Sequence, residues 1–443
     1  MSNALTYNAC SGVTGIRRGL RAAVLMAAIG LLMLSWHPAN GAERLIAPGP
    51  GALLKAVKTA KAGDILRLGP GHFFGPLNID KPLTLDGAGK ATIRGNGKGS
   101  VITVLASDVT IRGLTITGSG SSNKTLDSAV KLPTGWHGAK VLNNIMTGNL
   151  VGVDVHGAHN ALVANNSITG RRDKRMNARG NGVYVWNSPG LIMENNDIRY
   201  GRDGVFVNTS NHDIFRNNRF RDLRFAVHYM YTHNSVVSGN ISRRNHLGYA
   251  VMFSDNVQIT HNISLNDRTY GLMLNYTNDS NVSGNLVRGT RDRCIFVYNA
   301  QKNTISGNRL EHCGIGIHFT AGSEHNAVTG NAFIGNRTQV KYVGSKWVDW
   351  STDGRGNYWS NFAAYDLDGD GIAEGIFRPN DAVDRVLWTQ PAARLLLGSP
   401  AVQLVRWSQS TFPALLPGGV VDRHPLMQPV TIKIPDWETE HGH

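Results

Sequence analysis

The sequence has few cysteines, little charge and, beyond its first 42 residues, no long apolar run. Its 443 residues include 3 Cys, and charged residues make up 17%. Outside that N-terminal part, no stretch offers the roughly 20 apolar residues that a membrane-spanning helix needs. The shortage of charge, with 51 Gly and many Asn, Val and Ile residues, favours β-structure with many turns over a helix bundle.

The cysteines do not have the spacing of a zinc site or a redox pair. Cys10 lies near the N-terminus, which leaves Cys294 and Cys313 for the main part of the chain. An exported protein can join two such residues as a disulfide. Both, however, come just before apolar strand residues. We therefore favour two small buried thiols over a disulfide bond.

The N-terminus has the three parts of a secretory signal. Three arginines precede an apolar run from Ala22 to Leu34, and small residues follow up to Ala42. The apolar run, at about 13 residues, is shorter than a bilayer span requires, so a signal peptide is favoured over a retained anchor. We predict a signal peptide over residues 1–42 and export of the rest.

An asparagine recurs through the middle of the chain at a nearly constant spacing. The repeated residues are Asn144, Asn166, Asn196, Asn218, Asn240, Asn262, Asn285, Asn308 and Asn331. All steps are 22 or 23 residues except one of 30, which contains the polar, basic insertion Arg171 to Arg179. An apolar residue stands three positions before each Asn. Most repeats then carry a second alternating segment, such as Gly204 to Val207.

This repeat predicts a solenoid, because one coil cannot bury its own apolar face and stacked coils can. Asn tolerates the left-handed backbone of a bend, and its amide can bond to the same residue in the next coil. Parallel crossovers favour a right-handed winding. We predict an all-β, right-handed parallel β-helix of 22–23-residue coils over residues 43–343. A helix from Ala52 to Ala62 would cap its N-terminal end.

The repeat stops after about Val343, and residues 344–443 are predicted to form a partly helical C-terminal cap or docking region. Helices are expected over Val383 to Trp388, Ala392 to Leu397 and Ala401 to Phe412.

This region contains an Asp-rich loop that resembles the first half of a calcium loop. Asp366, Asp368 and Asp370 alternate before a glycine, and Glu374 follows. Hard oxygen ligands at alternate positions suit Ca²⁺. The acidic residue expected at the loop's end is replaced by Phe377, so a plain Asp-Gly turn is the alternative to a structural calcium site.

Methionine and histidine cluster on the predicted strands. If Val227 and Tyr229 point inward, His228 and Met230 point outward, because side chains alternate along a strand. The repeat adds further residues to this face, and the candidate copper ligands are His228, Met230, His233, Met252, Met273 and His318. Thioether and imidazole groups select copper, Cu(I) especially. Ordinary packing by Met is the alternative.

An enzyme is the rival to a binding protein, because parallel β-helices often act on acidic polysaccharides. The charged clusters Arg202-Asp203 and Arg291-Asp292-Arg293 sit at turns, where solvated charge is the usual explanation. We find no stacked carboxylates and no nucleophile with a base. The formal net charge of +14 suits a polyanion, acidic lipid or an acidic partner protein, and a basic surface with no specific use is the alternative. No basic cluster interleaves with aromatics as in nucleic-acid-binding proteins.

With these motifs placed, the sequence resembles the NosD family over nearly the whole chain after the signal segment. The segments that carry the resemblance are Gly248 to Ser254, His228 to His233, His312 to Gly322, Gly356 to Trp359, Asp366 to Gly371, Arg378 to Asp381 and Gly418 to Met427. Many sugar-acting β-helices share the repeats, but they lack this C-terminal part.

The resemblance implies a periplasmic protein, without catalysis of its own, that assists copper-centre assembly in nitrous oxide reductase. It implies association with the permease and ATPase subunits of an ABC-type complex, through which the protein would meet the membrane, and with a copper chaperone lipoprotein. It favours copper handling by the Met/His face but assigns no ligand. The helical tail is the candidate for contact with the permease. A polysaccharide lyase or epimerase and a metal-free binding scaffold are the alternatives.

Overall fold

The computed structural model of the protein describes residues 41–320, 322–411 and 418–435. The predicted signal peptide lies outside the described residues, apart from its last two. The described chain winds into a right-handed parallel β-solenoid of about 14 turns, which confirms the predicted fold. No helix in the described ranges has both the length and the apolar character needed to cross a membrane.

One face of the solenoid is a parallel sheet of 12 strands, called here the front sheet. Its strands are Leu77–Ile79, Ile102–Val104, Ser128–Leu132, Val151–His156, Val183–Trp186, Asp203–Asn208, Phe225–Met230, Leu247–Asp255, Tyr270–Asn278, Arg293–Tyr298, Ile315–Thr320 and Thr338–Val343. Each strand pairs with its equivalent in the next coil, so residues one coil apart form rows along the axis.

The other faces belong to a sheet of 24 strands. They are Glu43–Ile46, Ile65–Leu68, Gly71–Phe74, Thr84–Arg94, Thr110–Thr117, Lys140–Leu142, Ile145–Thr147, Leu162–Ala164, Ser167–Thr169, Ile192–Glu194, Asp197–Arg199, Ile214–Arg216, Arg219–Arg221, Val236–Ser238, Ile241–Arg243, Gln258–Thr260, Ile263–Leu265, Asn281–Ser283, Leu286–Arg288, Thr304–Ser306, Arg309–Glu311, Ala327–Thr329, Ala332–Ile334 and Tyr358–Trp359. A further parallel pair joins Trp347–Asp349 to Gly419–Val421.

The repeated asparagines form a buried ladder, as predicted. The side-chain oxygen of Asn218 accepts from both the backbone N–H and the side-chain amide of Asn196, at 3.0 and 2.9 Å. The same two bonds join Asn240 to Asn218 and continue along the solenoid. The ladder reaches Asn357, and strand Tyr358–Trp359 still pairs in parallel with the coil before it.

Both ends of the solenoid are covered. Helix α1 (Ala52–Thr59) buries Leu53, Ala56 and Val57 in the main core, with the spacing of one helix face. The predicted N-terminal helix is therefore present, although shorter. At the other end, the buried carboxylate of Asp422 accepts from the backbone N–H of Asn357, which ends the ladder, at 2.7 Å.

Three helical segments follow in the C-terminal region, close to the predicted positions. They are α2 (Ala382–Thr389), a 3₁₀ segment (Pro391–Leu396) and α3 (Pro400–Thr411). Phe412, the predicted end of the last helix, lies outside the described residues. Helix α2 starts with a capping box in which the side chain of Asp381 accepts from the backbone N–H at position 384.

Cys294 and Cys313 are joined as a disulfide, so the expectation of two separate thiols is wrong. Both residues are buried, and their Cα atoms are 5.7 Å apart. They belong to neighbouring coils, whose strands Arg293–Tyr298 and Ile315–Thr320 pair directly. Stacking at about 4.8 Å brings two such residues within reach of one bond. Their sequence spacing does not reveal this without the register of the coils.

Candidate metal-binding face

The predicted Met and His residues lie mainly in two neighbouring rows on the outside of the front sheet. The histidine row consists of His228, Ala250, Met273, Phe296 and His318. The methionine row consists of Met230, Met252, Asn275 and Tyr298. Val227 and Tyr229 are fully buried in the core, which agrees with the predicted alternation along this strand.

The register corrects the single column that the sequence suggested. Met230 and Met252 are direct strand partners, as their spacing predicts. Met273 pairs with Ala250, because the residue that pairs with Met252 is Asn275. This coil has 23 residues, so the spacing of 21 places Met273 two positions earlier on the strand. Two positions preserve the face, and Met273 therefore joins the histidine row.

Ala250 lies at the centre of this arrangement. Its partners on the two adjacent strands are His228 and Met273. Met252 is two positions further along its own strand, beside Met230. Ala250 is fully buried although its side chain is short, because longer neighbours cover it. The three methionines themselves are partly buried. One imidazole and three thioethers thus come from the strand positions around this small, covered residue.

The ring of His228 is oriented by a buried carboxylate that sequence reasoning missed. Asp203 is fully buried, which corrects the expectation of solvated charge at Arg202-Asp203. Arg224 donates to both of its oxygens, at 2.7 and 2.5 Å. The Nδ1 atom of His228 lies 3.4 Å from Asp203 Oδ2 and equally far from the Arg224 guanidinium.

Charge and hydrogen bonding determine the ionisation of Asp203 and the tautomer of His228. Burial acts to raise the pKa of Asp203, but hydrogen bonds from His228 and Arg224 outweigh it and hold the pKa below its usual value. A carboxylate only accepts, and the Arg224 nitrogen near His228 already donates to Asp203, so we assign Nδ1–H of His228 as the donor to Asp203. This leaves the Nε2 lone pair of His228 available to a metal, as in metal sites where a carboxylate orients the ligand.

His318 has the opposite arrangement. Arg293 Nε donates to its Nδ1 at 2.8 Å, so the ring proton is on Nε2. Burial lowers the pKa of His318 to about 3, and the charges of Arg293 and Lys341 act in the same direction. Neither ring nitrogen has a free lone pair. The structure therefore places His318 in the predicted row but does not present it as a ligand.

His233 lies away from the two rows. It follows the turn after strand Phe225–Met230 and forms an isolated bridge with Asn211. Its Nδ1 accepts from the backbone N–H of Asp255 at 3.0 Å. The chain leaves the front sheet between Met230 and His233, and the alternation rule does not extend across that turn. His233 is thus not brought together with the methionines.

A stripe of aromatic rings borders the methionine row, and sequence reasoning did not identify it. Tyr231, Phe253 and Tyr276 stack on successive coils, with ring centroids 5.2 Å apart at both steps. Their φ values are 53°, 50° and 49°, a conformation unfavourable for bulky residues. Asn occupies the equivalent position at Asn187, two coils before Tyr231, and at Asn299, one coil after Tyr276. The 22- and 23-residue spacing of the rings was the available signal.

The Asp-rich loop brings three of its four predicted ligands together. Oxygens of Asp366, Asp368 and Glu374 lie within 4.8 Å of one another. Asp370 instead accepts from the backbone N–H of Ile372 at 2.7 Å. Backbone N–H groups of Gly371 and then Gly369 lower the pKa of Asp366, so its carboxylate is charged and already turned into the loop.

Comparisons with known proteins concern the family of the chain and not individual ligands. A family model described as periplasmic copper-binding protein (NosD) matches residues 164–364. The protein named "Probable ABC transporter binding protein NosD" in Stutzerimonas stutzeri is 38% identical over 382 residues, which is 83% of this chain and 88% of that protein. A protein of the same name in Pseudomonas aeruginosa is 38% identical over 374 residues, which is 82% and 87% of the two chains.

Among solved structures, the chain is similar to the GH136 lacto-N-biosidase of Eubacterium ramulus. The TM-score is 0.51 at 12% sequence identity, covering 74% of this chain and 71% of that one. Similarity at this level concerns the solenoid fold alone.

Proposed function

Because the chain belongs to the NosD family, we propose that it is a periplasmic accessory protein for copper-centre assembly in nitrous oxide reductase. In this role it holds Cu(I) transiently and catalyses no covalent reaction. The observation that carries the proposal is the group of three thioethers and one imidazole around Ala250. A binding role also agrees with the names of its relatives.

The donor set suits Cu(I) and its release. Thioether sulfur is soft and uncharged, so Met230, Met252 and Met273 favour Cu(I) over harder divalent ions. His228 adds one nitrogen, oriented by Asp203. The four donors carry no negative charge, in contrast to the thiolates of permanent copper and zinc sites. A neutral, partly exposed site agrees with a protein that accepts a metal and passes it on.

The proposal includes partners on both sides of this transfer. A copper chaperone lipoprotein supplies Cu(I), and nitrous oxide reductase receives it. The permease and ATPase subunits of an ABC-type complex hold the protein at the membrane, with the helical segments α2 and α3 as the contact. Both relatives are named as ABC transporter binding proteins.

Titration with Cu(I) against a competing chelator tests the site. We expect the variant Met230→Leu/Met252→Leu/Met273→Leu to lose most of its affinity while keeping its fold, since Met and Leu have similar volumes. The control is Met146→Leu/Met193→Leu, in which both thioethers are in the core. Equal affinity in the two variants would refute this ligand set.

Deletion of the gene tests the role itself. A strain that lacks the protein should make the reductase polypeptide without its copper centres. Metal analysis of the purified reductase measures this, and a normal copper content would overturn the proposed function.

We further propose that the Asp-rich loop binds a structural Ca²⁺ through Asp366, Asp368 and Glu374. Hard carboxylate oxygens gathered within 4.8 Å suit this ion. Calcium would stabilise the C-terminal region and take no part in copper transfer.

A further inference from the structure

A cleft rich in arginine lies along the turns that precede the front-sheet strands. It has a volume of about 900 Å³ and lies between the insertion of residues 171–179 and the turns of the next coils. Five of the residues that line it are Arg172, Arg179, Arg244, Arg268 and Arg291. The proposed copper site uses none of them.

The insertion is held in place as the wall of this cleft. It occupies the one long step of the Asn repeat, and the solenoid does not need it for stacking. The backbone N–H of Gly201 donates to Arg171 O at 3.1 Å, and Arg202 N–H donates to Gly180 O at 2.5 Å. The guanidinium of Arg172 lies 3.5 Å from the ring centroid of Tyr200. Both ends of the insertion are thus fixed to the following coil.

The cleft is strongly positive. Of its two lining acids, Asp222 is paired with Arg244 at 3.0 Å. The other, Asp267, is fully buried and accepts from the hydroxyls of Ser242 and Ser264. Burial raises the pKa of Asp267 to about 7, so its carboxyl group offsets little of the positive charge.

The two arginines at the far end are available to a ligand. Arg268 and Arg291 are exposed, and neither forms an ion pair with any carboxylate in the described ranges. Guanidinium groups bind carboxylates through two parallel hydrogen bonds. These residues therefore offer two positions for oxyanions.

The shape of the cleft indicates an elongated ligand. Tyr200, Asp222, Arg244, Asn266 and Gly289 line it on successive coils. Four coil steps of about 4.8 Å give roughly 19 Å, the length of about six residues of extended peptide.

We propose that this cleft binds an acidic peptide segment of a partner protein, whose carboxylates pair with Arg268 and Arg291. A polysaccharide fits less well, because the one aromatic ring lining the cleft, Tyr200, is already covered by Arg172. A lipid headgroup needs only a single anion site and gains nothing from a cleft along several coils.

The experiment uses the exported chain and a fluorescently labelled hexaglutamate peptide, with binding followed by anisotropy. The test variant is Arg268→Gln/Arg291→Gln. The control is Lys90→Gln/Lys98→Gln, which removes the same charge from exposed positions elsewhere. We expect the test variant to bind about tenfold more weakly, because each lost contact is a charge-assisted hydrogen bond, and the control to bind within twofold of the parent.

Circular dichroism establishes that both variants are folded, which is expected because all four side chains are exposed. Equal weakening in test and control variants would mean attraction by net charge alone and overturn the proposal. So would an arginine-dependent preference for phosphatidylglycerol vesicles or oligogalacturonate over the peptide. The measurement is made without copper, so it is independent of the proposed function.

Discussion

His228 and His318 occupy the same row of the front sheet, four coils apart, and each is 8% exposed. Each ring lies near a phenylalanine, Phe206 or Phe296, at 4.8 and 5.0 Å between centroids. The residue 25 positions earlier differs. It is an aspartate before His228 and an arginine before His318.

This one position reverses the chemistry of the ring. Asp203 accepts the Nδ1 proton and leaves the Nε2 lone pair of His228 free, as the proposed ligand role requires. Arg293 donates to Nδ1 and leaves His318 without a free lone pair. Around His228 stand the methionines, whereas a disulfide joins the strand of Arg293 to the coil of His318. The same backbone thus carries the proposed copper ligand at one coil and a structural residue at another.

Among the variants considered, replacing Asp203 should have the largest effect, because it changes both the free energy of unfolding and the Cu(I) affinity. Asp203→Asn removes the partner of the Arg224 guanidinium and is expected to lower the free energy of unfolding by about 3 kcal/mol. It should also reduce Cu(I) affinity by about 10- to 100-fold, because His228 loses the group that orients it. Urea denaturation and chelator competition measure the two effects.

The matched control lies beside the other histidine. Asp292 pairs with Arg293 at the surface, so Asp292→Asn should change neither quantity appreciably. If Asp203→Asn keeps full copper affinity in the folded protein, the orienting role of the carboxylate is wrong.

Removing the disulfide should separate stability from binding. The bridge encloses a loop of 19 residues, so Cys294→Ala/Cys313→Ala is expected to lower the free energy of unfolding by about 3 kcal/mol. The effect falls on the coil of His318, and Cu(I) affinity should be unchanged. A marked loss of copper binding in the folded double variant would place the ligands nearer the disulfide than we propose.

The sequence predicts those features that follow from the number of residues between repeats. The Asn spacing gives the solenoid, its ladder and the pairing of Met230 with Met252. It misplaces Met273 because the coil lengthens by one residue at that point. Because coil length here varies between 22 and 23 residues, the row of a residue can be predicted only when the length of each coil is known.

The electrostatic parts depend on neighbours in the next coil and could not be predicted. Arg202-Asp203 looks like a solvated turn in the sequence, yet Asp203 is buried because Arg224 and His228 from the following coil cover it. The tautomers of His228 and His318 depend on their contacts with Asp203 and Arg293 in the preceding coil. Recognising that both rings have a charged residue 25 positions earlier requires the register of the front sheet.

The difference in unfolding free energy between the parent and His318→Phe should depend on pH through the titration of His318 alone. Its pKa of about 3 lies below that of a histidine in the unfolded chain, about 6.5. The unfolded state therefore binds the extra proton first, and the stabilising effect is full above pH 6.5 and is lost as pH falls towards 3. Relative to His318→Phe, the parent should lose about 1–2 kcal/mol between pH 6.5 and 4.

Urea denaturation at several pH values measures this difference. Groups shared by both proteins cancel, including Asp267, whose raised pKa has the opposite sign. Parallel stability curves for parent and variant would mean that His318 is not held neutral by burial and Arg293.

The smallest effect is expected at the Asp-rich loop, where hard oxygens contrast with the soft donors beside His228. Ca²⁺ at about five times its dissociation constant should raise the free energy of unfolding by about 1 kcal/mol, because the ion binds the folded loop only. Asp366→Asn should abolish that gain, whereas Asp80→Asn, an exposed acid far from the loop in sequence, should keep it. Thermal unfolding with and without chelator measures the shift. Cu(I) affinity should be the same with and without Ca²⁺, since oxygen and thioether donors select different ions. A calcium gain that persists in Asp366→Asn would show that the ion binds elsewhere.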